Sequence, residues 1–199
     1  MNRSQRLIVL SVPLLLVLMV LAVPTPAAAG DWTGHANFFL GQKQLKETDW
    51  GLVDSQAEFG AEVAWGKKAW PILIATDVFG SADEQTEFGI KLTSSSSELD
   101  LGVRKIWVSK KVYPYIGGGV GMISAKAEID VPLFGTASVD DNAVGFWFGG
   151  GVFWRLGRRF NIGLSGRWSQ GKVTFSGTDV EAGGLHAGLL LGWGWPASK

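Results

Sequence analysis

Residues 184–195 read Gly184-Leu185-His186-Ala187-Gly188-Leu189-Leu190-Leu191-Gly192-Trp193-Gly194-Trp195. One parity is Leu185, Ala187, Leu189, Leu191, Trp193 and Trp195, and the other is His186, Gly188, Leu190, Gly192 and Gly194. A period of two over this length is a strand pattern. What decides the fold is the content of the two faces. A soluble barrel keeps its apolar parity inside and presents a polar parity to water. A membrane barrel inverts this, with apolar side chains toward lipid and small or polar ones in a narrow interior. Glycine on the second face suits a crowded lumen and not a solvated surface.

The same division recurs along the chain. Strands are predicted over 32–43, 55–65, 70–80, 97–108, 112–125, 142–156, 160–173 and 184–195. The second sets Ala57, Phe59, Ala61, Val63 and Trp65 against Gln56, Glu58, Gly60, Glu62 and Ala64, and the seventh sets Phe160, Ile162, Leu164, Gly166 and Trp168 against Asn161, Gly163, Ser165, Arg167 and Ser169. On the apolar parity Lys105 is the one charge, near a strand end where its ammonium can snorkel. Trp32, Trp65, Trp70, Trp107, Trp154, Trp193 and Trp195 gather at one set of strand ends, as an aromatic girdle at one membrane surface would. Short doubly basic turns at Lys67-Lys68, Lys110-Lys111 and Arg158-Arg159 alternate with long connections over 44–54, 81–96, 126–141 and 174–183. The fold class expected is all-β, a closed antiparallel up-and-down eight-stranded transmembrane barrel over residues 30–199. Within the second long connection, Phe88, Ile90 and Leu92 alternate, which reads as a hairpin extension above the membrane and not as a ninth strand.

Arg3 and Arg6, an apolar run from Leu7 to Val23, and the small-residue site Ala27-Ala28-Ala29 have the three parts of a secretory signal peptide. A signal anchor is the rival, but the run is short for a bilayer and Pro13 interrupts it. Cleavage after residue 29 places the remainder outside the cytoplasm. Composition agrees. Of 199 residues 28 are Gly, about twice the roughly 7% of an average chain, and ten are Trp while only 18% are charged. That balance is unusual for a water-soluble enzyme. With no Cys, a disulfide-stapled fold and a Cys-ligated zinc module are both excluded. A formal net charge of zero gives no global attraction to nucleic acid, and none is expected as a partner.

The whole mature chain resembles the small eight-stranded bacterial outer-membrane barrels, the OmpA/OmpX-like group. Tyr113-Pro114-Tyr115-Ile116-Gly117-Gly118-Gly119-Val120-Gly121 is similar to an aromatic-and-glycine strand common there. His186, Gly188, Leu191 and Trp193 resemble the last-strand assembly signal read by the barrel-insertion machinery, although the chain ends Trp195-Pro196-Ala197-Ser198-Lys199 and not on an aromatic. The resemblance implies residence in the outer membrane, with termini and short turns periplasmic and long loops extracellular. It also implies outer-membrane lipids including lipopolysaccharide, and the insertion machinery, as partners. For function it implies little, because the group holds tethers, adhesins, lipid enzymes and proteins of unknown role.

The chemistry-bearing residues point away from catalysis. His35 and His186 both fall on the lumen parity, with no Ser two residues on, and they differ in depth by roughly 20 Å along strands rising about 3.3 Å per residue. They read as structural, not as a metal pair or a lipid-hydrolysing site. The lumen charges are Lys43, Glu58, Glu62, Asp77, Glu98, Asp100, Arg104, Arg155 and Arg167. Buried charges of both signs should pair; Glu62 with Arg104, and Asp77 with Arg167, share similar depths. Bulky Trp147, Phe153, Tyr113 and Tyr115 beside the lumen glycines cover bare backbone. No catalytic, cofactor-binding or metal site is expected, and no cofactor.

The long connections hold twelve of the 18 acids: Glu47, Asp49, Asp54, Asp83, Glu84, Glu87, Glu128, Asp130, Asp140, Asp141, Asp179 and Glu181. They read as a solvated surface or as carboxylates for divalent cations bridging to lipopolysaccharide phosphates. Val131-Pro132-Leu133-Phe134 is an apolar tip among them, able to pack on the barrel mouth or to meet a surface partner. The expected role is therefore a non-enzymatic outer-membrane protein, envelope-structural or acting through four outer loops. A narrow channel or lateral conduit for a small hydrophobic solute is the alternative, and a lipid A-modifying enzyme the second.

Overall fold

The computed structural model describes residues 31–175 and 177–196. The signal peptide expected over residues 1–29 lies outside the described residues. In chain order the elements are β1 (Trp32–Gln44), a one-turn helix α1 (Glu47–Trp50) with a 3-10 turn after it, β2 (Ser55–Lys67), β3 (Leu73–Glu87), β4 (Ile90–Ile106) and β5 (Val112–Val131). Then come β6 (Gly135–Leu156), β7 (Phe160–Gln170), β8 (Lys172–Phe175), β9 (Thr178–Glu181) and β10 (Gly184–Trp195). β1 to β7 each pair antiparallel with their chain neighbours, and β10 closes the ring between β7 and β1. The short β8–β9 hairpin is a separate two-stranded sheet. Eight strands thus form a closed up-and-down barrel.

The parity rule holds around the whole ring. On β1, His35, Asn37, Phe39 and Lys43 are buried while Phe38 and Leu40 are exposed; on β10, His186 and Leu190 are buried while Leu185, Leu189 and Leu191 are exposed. Leu101, Ile116, Val120, Val144, Phe148 and Leu164 continue the exposed apolar band on the intervening strands. A contiguous apolar belt of this size is far beyond what a monomer leaves in water. Closure gives every strand two hydrogen-bonded neighbours, the condition for strands in hydrocarbon.

The glycines of the inner face are explained by what lies on them. A Cβ on Gly117 would come 3.3 Å from the Trp147 ring, and one on Gly151 would come 2.8 Å from the Tyr115 hydroxyl. The barrel is narrow enough that rings from one strand rest on the bare backbone of the next.

Two expectations need correction. The long connections over 81–96 and 126–141 are mostly strand. β3 and β4 run on to a two-residue turn, Phe88-Gly89, and β5 and β6 to a three-residue turn over 132–134. The ladders stay in register from Asp77↔Asp100 to Glu87↔Ile90, and from Gly117↔Gly149 to Val131↔Gly135, so nothing interrupts pairing at the level where the barrel proper ends. The hairpin reading of Phe88, Ile90 and Leu92 agrees with this geometry. The seventh strand ends at Gln170 and not at 173, because Lys172–Phe175 pairs with Thr178–Glu181 instead.

The seven tryptophans at the turn end face outward or lie in turns, with one distinction. Trp195 is only 7% exposed; its ring covers Gly34, where a Cβ would come 2.5 Å from it. A second aromatic cluster sits at the opposite rim. Trp168 packs against Phe146 and Phe148 with ring centroids 5.4 and 5.2 Å apart. Trp168 and the turn-end Phe160 are eight residues apart on β7, about 26 Å of strand at 3.3 Å per residue. Reduced by strand tilt, that approaches the apolar band of about 25 Å typical of outer-membrane barrels.

Candidate functional site

The interior is a stack of polar and aromatic layers. Nearest the loop end, Lys43 Nζ donates to Glu98 Oε1 at 2.7 Å, to Ser96 Oγ at 2.9 Å and to the Ala182 carbonyl at 2.8 Å. Arg167 spans two carboxylates, with Nη2 2.9 Å from Glu98 Oε2 and Nη1 2.6 Å from Asp100 Oδ2. His186 Nδ1 is 2.8 Å from Glu58 Oε1, and its Nε2 is 2.9 Å from Ser169 Oγ. Below lies an apolar layer of Phe39, Phe79 and Leu190, and the Arg167 guanidinium lies 4.3 Å from the Phe79 ring centre. Next toward the turns, Arg104 holds Asp77 Oδ2 at 2.8 Å and Glu62 Oε2 at 3.3 Å. The Tyr115 hydroxyl donates to Glu62 Oε2 at 2.9 Å and Ser165 Oγ donates to Glu62 Oε1 at 2.7 Å.

All nine lumen charges read from the sequence are buried. The structure brings Glu62 and Arg104 together. It does not bring Asp77 to Arg167: Asp77 bonds Arg104, while Arg167 belongs to the layer of Glu98 and Asp100. Asp77 is the cross-strand partner of Asp100 and so lies near both arginines; depth along the strand does not tell which of the two guanidiniums bonds it. Among the described residues Arg155 meets no carboxylate; its Nε donates to Asn161 Oδ1 at 3.2 Å and its guanidinium stacks 4.5 Å from the Tyr113 ring centre. His35 and His186 lie in different layers, His35 beside Phe153 with centroids 5.0 Å apart. The serines and Gln56 that satisfy the network carried no sequence signal beyond their inward parity. Ser81, Ser94 and Ser96 all bond the Gln56 amide.

Ser169, His186 and Glu58 are joined in the order of a hydrolytic triad. Spacing along the chain does not reveal this, since Ser169 comes from the strand adjacent to that of His186. The trio is nevertheless sealed, with each member buried. Ser169 Oγ is also 3.1 Å from Glu98 and accepts the Gly184 N–H at 3.3 Å. Above it, α1 and the β8–β9 hairpin close the mouth through Leu45, Trp50, Val173 and Ala182, tied by the Trp50 Nε1 bond to the Glu181 carbonyl at 2.7 Å. A nucleophile needs space for a carbonyl and an oxyanion donor; this one is packed on every side.

Several loop acids serve as local staples. Asp49 accepts the Glu181 N–H at 3.0 Å and Asp141 accepts the Thr174 N–H at 2.7 Å. Those backbone bonds hold both carboxyls below the usual range. Glu84 pairs with Lys91, and Glu128 with Lys126, both at 2.7 Å. Among the described residues no three acids or histidines converge as a metal site would require.

No family model matches the chain, and no curated protein matches it. Its structure is similar to that of Ail, the attachment invasion locus protein of Yersinia pestis, solved with the heparin analogue sucrose octasulfate. The TM-score is 0.56 at 15% identity, covering 82% of this chain and 97% of that one. A second Ail structure aligns with the same TM-score, 0.56, at 14% identity. Neisserial surface protein A aligns with a TM-score of 0.46 at 14% identity, over 82% of this chain and 94% of that one. The similarity to Ail establishes a shared fold, that of the small outer-membrane barrels.

The layered interior carries an expectation for transport. Eight strands enclose a space that side chains just fill, and here rings and ion pairs occupy it from the loop-end mouth down to the layer of Tyr115 and Phe153. Purified protein in a planar bilayer should show no steady, large single-channel conductance. Regular open-pore steps would contradict this packing.

Proposed function

We propose that this chain is a non-enzymatic outer-membrane barrel, with its turns in the periplasm, that meets a surface partner through the tall wall formed by β3 to β6. The observation that carries this is the state of its tips. Phe88, with φ 50°, and Leu133, with φ 74°, hold a left-handed backbone conformation that costs a bulky residue about 1–2 kcal/mol. They are 97% and 103% exposed, and Phe134 beside Leu133 is 90% exposed. Backbone strain at fully exposed apolar residues gains nothing for folding, and such strain clusters where function needs it. The two tips lie side by side, because β4 pairs with β5 up to Lys91↔Asp130. β6 continues eleven residues beyond its last pairing with β7 at Phe146, about 35 Å of strand. A stiff ladder therefore carries the tips clear of lipid headgroups.

The sign of the loop end argues about the kind of partner. Ail was crystallised with a sulfated sugar analogue. The loop end here is acidic, so a sulfated polyanion would be repelled. An apolar or cation-bridged protein surface fits better, and rim contacts to lipopolysaccharide are compatible with it. The outward apolar belt and the fold shared with Ail support outer-membrane residence, where the barrel-assembly machinery would insert the chain.

The test changes the tips and leaves the barrel alone. Replacing Phe88, Leu133 and Phe134 together by Ser should leave the melting temperature unchanged or slightly raised. Adhesion of cells displaying the protein to protein-coated surfaces should fall to background. Replacing Glu128–Asp141 by a short Gly-Ser turn should do the same with lipid A composition unaltered. An altered lipid A acylation pattern would point to catalysis instead.

A further inference from the structure

At the turn end the packed interior gives way to a cavity of about 270 Å³. This lies just below the range of about 300–1,000 Å³ usual for small-molecule sites. Its polar wall is one-signed: Lys68, Arg104, Lys105 and Arg155 line it, and no carboxylate does. Arg104 is already committed to Asp77 and Glu62 inside the barrel. Among the described residues Arg155 is not committed to any acid. It is only 8% exposed, and a guanidinium this deep without a counter-charge is a costly thing to keep. Its position is nonetheless built with care. Tyr113 stacks on one face, Asn161 fixes Nε, and Gly194 leaves the space in which Nη2 rests, where any Cβ would collide with it. A second polar group on the same wall lacks a partner: among the described residues the buried Nε2 of His35 makes no hydrogen bond. The opposite wall is apolar, formed by Trp70, Pro71, Ile72 and Val108.

We infer that this mouth is a binding site for a small amphiphilic anion, one carboxylate or phosphate head on a short apolar body. The head sits on the terminal nitrogens of Arg155 within reach of His35, and guanidinium geometry favours such planar or tetrahedral oxyanions. The body lies along Ile72 and Pro71. The doubly basic turns at Lys67-Lys68, Lys110-Lys111 and Arg158-Arg159 surround this end and raise the local concentration of anions. Ligand enters from the turn side and stops at the layer of Phe153 and Tyr115, so the site binds without conducting.

The test uses the full mature chain in phosphatidylcholine nanodiscs, with empty discs subtracted, and calorimetric titration of hexanoate, hexyl phosphate, inorganic phosphate and hexanol. Hexanoate or hexyl phosphate should saturate at one site per barrel, inorganic phosphate should bind at least tenfold more weakly, and hexanol should not bind. Arg155→Gln should weaken the anions at least tenfold. Ile72→Ser, at a half-exposed position outside the barrel wall, should weaken hexyl phosphate several-fold and leave inorganic phosphate unchanged. In unaltered protein, saturating hexanoate should shift the ring resonances of His35 and leave those of His186 in place, a readout that needs no variant. Equal binding by hexanol, inorganic phosphate as tight as hexyl phosphate, unaltered affinity in Arg155→Gln, or an unmoved His35 ring would each overturn the inference.

Discussion

A chain lacking residues 184–199 should neither insert into lipid nor resist protease. β10 is hydrogen-bonded along its whole length on both sides, to β1 from Gly34↔Trp195 to Gln44↔Leu185 and to β7 from Gly184↔Ser169 to Trp193↔Phe160. Removing it exposes one full edge on β1 and another on β7. In hydrocarbon each unsatisfied backbone group costs several kcal/mol, so two open edges exceed the entire stability of a domain this size, typically about 5–15 kcal/mol. Refolding into liposomes, followed by electrophoretic mobility with and without boiling and by trypsin digestion, reads this directly. Trp193→Asp provides the contrast. A carboxylate near the interface of a membrane barrel costs about 0–1 kcal/mol, so this variant should fold with a modest loss. A truncated chain that inserts and survives protease would mean that β1 and β7 can pair with each other, and that β10 is not needed to close the ring.

Arg104→Met should destabilise the barrel by about 3–5 kcal/mol, the usual cost of removing one partner from a buried ion pair. One guanidinium serves both Asp77 and Glu62, while the neighbouring Arg167 is bonded to Glu98 and Asp100. Two carboxylates would be left facing each other across β2 and β3, where Glu62↔Asp77 are register partners. Reversible urea unfolding in vesicles, followed by tryptophan fluorescence, measures the change in midpoint. Adding Glu62→Gln and Asp77→Asn to the same chain should recover most of the loss, since the penalty comes from uncompensated charge and not from lost packing. Arg155→Gln should behave differently and cost little, because no acid depends on it. Equal losses in Arg104→Met and Arg155→Gln would refute the pairing scheme.

The sequence by itself determined the strand count, the inside and the outside. Alternation is a local property: once Leu185, Leu189 and Leu191 share a parity opposite His186 and Gly188, the pleat sends them to opposite faces whatever the rest of the chain does. The turn tryptophans and basic pairs were legible for the same reason, since each is fixed by its distance from a strand end. Inward parity also identified every charged lumen residue. Partnership was another matter. Asp77 bonds Arg104 and not the nearby Arg167, and Ser169 reaches His186 across β7 and β10, because partnership depends on side-chain reach and on stagger between strands that no single strand records. The height of the β5–β6 part of the wall was equally hidden, as exposed polar residues such as Thr136, Ser138 and Asp140 continue a ladder as readily as they form a loop. The cavity beside Arg155 belongs wholly to the tertiary structure. Its one-signed wall is assembled from separate segments of the chain, and only the closed barrel brings their side chains around a common space.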